Sequence, residues 1–170
     1  MNIDQAKQEF VQTWGKLGGE WGINRTMAQL HALLLVSEPL NTDEIMAQLK
    51  ISRGNAHMNL KALMEWGLIS KEIRSGVRSE YFSAEKDVWE VARTIAIQRR
   101  KRELDPLMKA LERLLEVDES KKGSERETRE FKKLVQDILS LGKKSNTLLD
   151  LVLKLDQVSF FKPILQLIRR

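Results

Sequence analysis

The stretch Asn41–Ser83 reads NTDEIMAQLKISRGNAHMNLKALMEWGLISKEIRSGVRSEYFS. Asn41 and Glu44 form a capping-box-like pair that opens a short helix, with Ile45 and Leu49 pointing inward. Lys50-Ile51 is a turn. Ser52 caps the next helix, which runs to Trp66 with Ala56, Leu60, Leu63 and Met64 as its inner stripe. Gly67 stops it, because glycine accepts the left-handed geometry of a helix exit. Two strands follow, Leu68–Arg74 and Val77–Ser83, joined at Ser75-Gly76, where glycine supplies the positive φ of a tight hairpin.

The flanks are helical, since only 3 Pro and 9 Gly punctuate the chain. A first helix is expected over 2–17, capped by Asn2 with Gln5, with Ile3, Phe10, Trp14 and Leu17 on one face and Gly18-Gly19 as its end. A second runs from Asn24 to Ser37, with Met27, Leu30 and Leu34 as its stripe and Pro39 closing the exit. Helix, helix, short helix, turn, helix, hairpin is the order of a winged helix-turn-helix, with the hairpin at 68–83 as the wing. Beyond it, a fifth helix is expected from Ser83 or Ala84 to Glu103, with Val88, Val91, Ala92 and Ile95 inward. Asp105 caps a sixth, with Pro106 at its first position and Leu107, Leu111 and Leu114 buried. Residues 118–123 read as a linker, and Ser124 with Glu127 as a capping box. Phe131, Leu134, Ile138, Leu141, Ser145, Leu148, Val152 and Leu155 then step by three and four. This is a heptad seam with Leu at every d position, packing either between chains or on its own chain. Gly142 lies outside the seam as a possible bend, and a last helix begins at Ser159. The expected fold is mainly α with a small β-wing: a winged helix-turn-helix over 1–105 and a C-terminal helical dimerisation arm over 106–170.

The net charge of +5 is unevenly placed. Residues 1–50 carry 4 basic and 6 acidic side chains, residues 51–102 carry 11 and 6, and residues 103–170 carry 14 and 12. The surplus therefore sits on the helix at 52–66, the wing and the helix behind them. With no Cys there is no thiol nucleophile, disulfide or cysteine metal site. His31 and His57 have no carboxylate beside them at a metal-ligand spacing, so no metal and no cofactor are expected. No nucleophile–base pair or Gly-rich phosphate loop is present, so no enzyme is expected. The longest strictly apolar run, Ala32–Val36, is too short for a bilayer, and the N-terminus lacks an apolar signal region. A cytoplasmic protein is the expectation.

The helix at 52–66 docks its apolar face on the core and turns outward residues suited to DNA. Its N-terminal end would enter the major groove, about 12 Å wide. Ser52 and the first backbone N–H groups suit a phosphate. Arg53 suits a guanine edge or a phosphate, and Asn55 an adenine. His57, Asn59 and Lys61 complete the face, while Lys71, Arg74 and Arg78 put positive charge on or beside the wing. Singly, each is an ordinary surface charge; their grouping carries the reading. Arg99-Arg100-Lys101-Arg102 reads as a solvated helix end or a contact to DNA flanks, and His31 as a satisfied core or interface histidine. The alternative function is a winged-helix protein-interaction module without sequence-specific DNA binding.

Several motifs together resemble a known family. Trp14-Gly15-x-Leu17-Gly18 is followed by Trp21-Gly22-Ile23-Asn24-Arg25-Thr26-x-Ala28-Gln29-x-His31-Ala32-Leu33-Leu34. Ile51-Ser52-Arg53-Gly54-Asn55-x-x-Met58-Asn59-Leu60, Trp66-Gly67-Leu68 and Ala84-Glu85-Lys86-Asp87-Val88-Trp89 come next in order. This set resembles the GbsR-type branch of the MarR-family transcriptional regulators over roughly residues 10–105. The resemblance implies a dimeric, cytoplasmic regulator of double-stranded DNA, usually a repressor, reading a palindromic operator. It places DNA contacts at Ser52, Arg53, Asn55, His57, Asn59 and Lys61, and at Arg74 and Arg78 of the wing. Some members of this branch respond to choline-type ligands, which makes a choline-type cation a candidate effector. Trp14, Trp21, Trp66, Trp89 and Tyr81 are the rings available for an aromatic cage; the plainer reading is that they pack helices together.

Overall fold

The structure is a computed structural model that describes residues 1–73, 79–116 and 125–155. The hairpin turn at Ser75-Gly76, the linker at 118–123, the Ser124 cap and the helix expected from Ser159 lie outside the described residues. The chain divides into two compact units, the first Met1–Ala96 and the second beginning at Ile97.

In the first unit, α1 (Ile3–Glu20) and α2 (Arg25–Val36) form an antiparallel pair, followed by β1 (Leu40–Asn41), α3 (Thr42–Leu49) and α4 (Arg53–Trp66). Then come β2 (Ile69–Ile73), β3 (Glu80–Ala84) and α5 (Val88–Arg99). The helix starts follow the sequence reading. Asn2 and Gln5 exchange side-chain-to-backbone hydrogen bonds of 2.8 and 2.9 Å, and Asn41 and Glu44 do the same at 3.0 and 2.7 Å. Asn24 Oδ1 accepts from the Met27 N–H at 3.1 Å. Lys50 takes a left-handed conformation at the α3 exit, and Gly67 does so at the α4 exit with φ of 76°.

The core forms around α2. Met27, Ala28, Leu30, His31, Ala32, Leu33 and Leu34 are all buried, because α1, α3, α4 and β3 pack around this one helix. Leu30, Leu34, Ile45, Leu60 and Leu63 are the largest fully buried side chains. The Lys86 ammonium closes the far end of α2, donating to the carbonyls of Leu34, Leu35 and Ser37 at 2.7, 2.8 and 2.9 Å. Those carbonyls have no partner within the helix, and a cation there also complements the helix dipole.

Several expectations are corrected. The helix α1 does not stop at Gly18-Gly19. It continues to Glu20, and the left-handed glycine is Gly22. Gly18 is instead a point of close approach, since a Cβ there would lie 2.5 Å from the Ala28 Cβ. Val11, Gly15 and Gly18 are the buried residues of α1, Phe10 and Trp14 pack half-buried against the core as expected, and Ile3 is exposed. The wing has a third strand. The order is β1-β3-β2, all antiparallel, with Leu40 opposite Phe82 and Ile69 opposite Ala84. A two-residue strand carries no alternation by which to recognise it. Ser83 and Ala84 belong to β3, and α5 starts instead at Val88, where Asp87 accepts from the Trp89 N–H at 2.9 Å. Val91 of α5 is buried, but Val88 and Ala92 are exposed.

In the second unit, α5 runs through a wider turn of π-helix, Arg100–Leu104, into α6 (Asp105–Leu114). Asp105 is therefore helical rather than a cap, and its N–H donates to the Arg100 carbonyl five residues back. The widened turn accommodates Pro106, which has no N–H to offer the preceding turn. Met108 is the buried residue of α6, whereas Leu107 and Leu114 are exposed and Leu111 is half-buried. It packs on α7 (Glu125–Leu155) with Val135 and Leu139. Gly142 sits on the same stripe because a Cβ would collide with the Met108 Sδ at 2.4 Å. The cations at 99–102 do not end a helix. Arg99 pairs with Glu103 at 3.1 Å, and Arg100 pairs with Asp150 and Asp105.

His31 is in the core as expected, at 3% exposure, but its Nε2 has no hydrogen-bond partner. Burial lowers its pKa from 6.5 to about 4. Between these values the unfolded chain binds a proton that the folded chain refuses. Stability is therefore full above pH 6.5 and falls as pH drops toward 4, by up to roughly 3 kcal/mol from this residue. Urea unfolding between pH 4 and 7 checks this, and His31→Leu should flatten the slope. The glycines of α1 make a second test. Gly18→Ala, forced against Ala28, should destabilise by about 1–3 kcal/mol. Gly19→Ala, with nothing within 4 Å of the added carbon, should stabilise by about 0.5–1 kcal/mol.

Candidate nucleic-acid interface

The second helix of the helix-turn-helix, α4, is held from behind. Ala56, Leu60 and Leu63 are buried on α2 and α3, which leaves Arg53, Gly54, His57, Met58 and Lys61 exposed. Ser52 caps the helix, its Oγ accepting the Asn55 N–H at 3.3 Å. This N-terminal end thus offers unpaired backbone N–H groups and a short polar side chain at an exposed corner.

Not every expected residue lies on that face. Asn59 is buried at 4% exposure, and its side-chain amide donates to the Asn55 carbonyl at 2.8 Å and to the Asn55 Oδ1 at 2.6 Å. Asn55 itself is half-buried at the edge of the face. The two asparagines therefore form a unit in which the inner one fixes the outer one. The i, i+4 spacing is visible in the sequence; only packing tells which of the two is inside. Arg74 and Arg78 lie outside the described residues.

Two acidic side chains that the sequence reading passed over sit on this surface. The Asp43 carboxylate of α3 accepts from Arg53 Nη2 at 2.5 Å, with both side chains well exposed. Glu80 of β3 accepts from Lys71 of β2 at 2.8 Å. Exposed pairs of this kind are worth about 0.2–1 kcal/mol, so they are easily exchanged for another anion. Of the cations on α4, Arg53 has a carboxylate partner across the turn, and Lys61 stands two turns further on at the surface.

The aromatic rings separate into two groups. Trp14, Trp21 and Trp66 line one cavity of about 100 Å³ together with His31. Trp89 and Tyr81 are not among its lining residues, and Trp89 is exposed. Trp14 also packs on Phe10 with ring centroids 5.4 Å apart. Among the described residues no three His, Asp or Glu side chains are gathered as a metal site, and no helix is long and apolar enough to cross a membrane.

No family model matches the chain. The HTH-type transcriptional repressor GbsR of Bacillus subtilis (strain 168) is 25% identical over 85 residues, which are 50% of this chain and 47% of that protein. The match thus spans about half the length of this curated relative. A solved structure described as the crystal structure of a transcriptional regulator is similar with a TM-score of 0.54 and 21% identity, covering 82% of this chain and 95% of that one. At that identity the likeness is one of fold. The chain is a winged helix-turn-helix protein in fold, and over half its length its sequence is similar to the repressor GbsR.

Proposed function

We propose that the chain is a homodimeric, cytoplasmic transcriptional regulator, a repressor, that binds double-stranded DNA at a palindromic operator. In this reading α4 enters the major groove, and the wing, with Arg74 and Arg78, follows the backbone or minor groove. The observation that carries it is the exposed N-terminal half of α4. Arg53, His57 and Lys61 stand on its open side, Asn55 is braced by Asn59 at its edge, and the opposite side is locked in the core. Ser52 and the helix start suit a phosphate, and Arg53 and Asn55 suit base edges. Asn59 takes part through Asn55 rather than by touching a base. The sequence similarity to a named repressor supports the same reading.

Dimerisation is supported by α7. Its heptad seam is open: Leu134, Leu141, Leu148 and Val152 are each about 60% exposed, with Phe131 and Ile138 beside them. The neighbouring stripe of Val135, Leu139 and Gly142 is the one that meets α6. An apolar seam of this length, broken only at Ser145, on a helix already packed elsewhere suits a second copy. A palindromic operator requires two reading helices, one for each half-site, about 34–36 Å apart. A small effector belongs to the same proposal. The resemblance implies a choline-type cation as that effector.

The pairing of Arg53 with Asp43 and of Lys71 with Glu80 favours a second reading, a protein-interaction module, because it reduces the positive field of this face. DNA selection followed by a salt titration separates the two. A palindromic product, with a salt slope that Lys61→Ala lowers by about one unit, is the expected outcome. Affinity no greater for any selected sequence than for random DNA would defeat specific regulation. Asp43→Asn releases Arg53 and should tighten DNA binding by about two- to fivefold at low salt. Sedimentation should give a dimer, and Leu141→Asp with Leu148→Asp should give monomers that lose operator binding; a double variant that stays dimeric would rule out the seam.

A further inference from the structure

The exposed side of α4 is not uniform. At 3.6 residues per turn Arg53 and His57 fall along one edge, Asn55 and Met58 along the other, and Gly54 and Lys61 between them. Asn55 and Met58 are three residues apart, so their side chains are neighbours on the helix surface. Neither is charged. Met58 is 62% exposed and is, among the described residues, the one large apolar side chain that α4 turns to solvent. Gly54 beside them adds no side chain, and nothing lies within 4 Å of where its Cβ would stand, so a flat edge can come close.

The hydrogen bonds of Asn59 fix which end of the Asn55 amide is left for a ligand. A backbone carbonyl only accepts, so the Asn59 atom 2.8 Å from the Asn55 carbonyl is Nδ2, a donor. The same Nδ2 lies 2.6 Å from the Asn55 side chain, whose facing atom must then accept and is Oδ1. Asn59 is buried, so Oδ1 is held toward it and Asn55 presents its Nδ2. A two-bond contact to adenine would use Oδ1 and Nδ2 together, and here Oδ1 is engaged.

We infer that Asn55 and Met58 together read a thymine edge in the major groove, with Asn59 as the positioning residue. Asn55 Nδ2 donates to the thymine O4 while Met58 covers the C5-methyl, and among the four bases only thymine carries that methyl. Guanine and adenine offer an acceptor but no methyl, and cytosine turns a donor toward a donor. The contact rests on the proposed function, since it presupposes α4 in the groove, and adds to it a base and the residues that select it.

DNA selection on the full chain, followed by deoxyuridine in place of each thymine of the selected half-site, tests the contact. Deoxyuridine lacks only the methyl, so at one position it should weaken binding about fourfold, the worth of one buried methyl. Met58→Ala, at an exposed position that folding does not depend on, should bind thymine and deoxyuridine alike there. Asn55→Asp keeps one oxygen for Asn59 and turns the other outward as an acceptor. Selection with that variant should replace thymine by cytosine or adenine, whose exocyclic amines donate. Asn59→Ala frees the Asn55 amide, so preference for thymine over adenine should fall about fivefold with an unchanged salt slope, which lost packing alone would not produce. An operator indifferent to every thymine methyl, a deoxyuridine effect that persists in Met58→Ala, or an unchanged preference in folded Asn55→Asp overturns the thymine contact and leaves the regulator standing. An unchanged preference in folded Asn59→Ala overturns its positioning role. A chain that selects no sequence overturns the proposed function, and the contact falls with it.

Discussion

Everything in the first unit depends on the burial of α2 on all sides. A twelve-residue helix with seven buried positions has no solvated face to set its orientation, so its neighbours must do so. α1, α3, α4 and β3 all pack against it. Such a helix also creates a backbone problem at its exit, where the carbonyls of Leu34, Leu35 and Ser37 converge. Lys86, 49 residues or more further along the chain, resolves it with one ammonium. The contact ties the start of α5 to the end of α2 and so closes the sheet against the helices.

This anchoring shapes the exposed face of α4. A helix that offers side chains to a ligand must first be immobile, and here Ala56, Leu60 and Leu63 supply that on the core side. The polar side is then tuned locally. Asn59, turned inward, satisfies itself on Asn55 and so restricts the one amide at the edge of the face. Asp43 holds Arg53 in an exposed, weak pair. A guanidinium kept this way is ordered yet readily surrendered to a phosphate or a base edge.

In the second unit one long helix carries two apolar stripes with different fates. Val135, Leu139 and Gly142 are taken by Met108 of α6, with Gly142 allowing the closest approach. The heptad residues from Phe131 to Val152 remain at the surface. Both stripes are hydrophobic and both have helical spacing, so composition does not separate them. The chain decides by where the widened turn at Arg100–Leu104 sends α6, a consequence of Pro106 having no N–H to donate.

Much of this was legible in the residues themselves. Caps are local: Asn2 with Gln5, Asn41 with Glu44, Ser52 and Gly67 each act within a few residues, and each marks an element boundary where the structure has it. The helix-turn-helix and its hairpin followed from that punctuation and from two simple periods. What depends on distant partners was not legible. The two-residue strand β1 exists only because Phe82 and Tyr81 lie opposite it. Gly18 reads as a stop until Ala28 is seen against it. Leu107 reads as core and Met108 as a neighbour, and the rotation of α6 exchanges them. Asn59 and His31 look like a surface ligand and a satisfied core residue; tertiary packing buries the first and leaves the second without a hydrogen bond. By itself the sequence determined the order, ends and class of the elements, because backbone geometry and capping are short-range. Only the tertiary structure decided which face of each helix meets solvent and which polar groups go without partners, because burial is the sum of contacts from segments far apart in the chain.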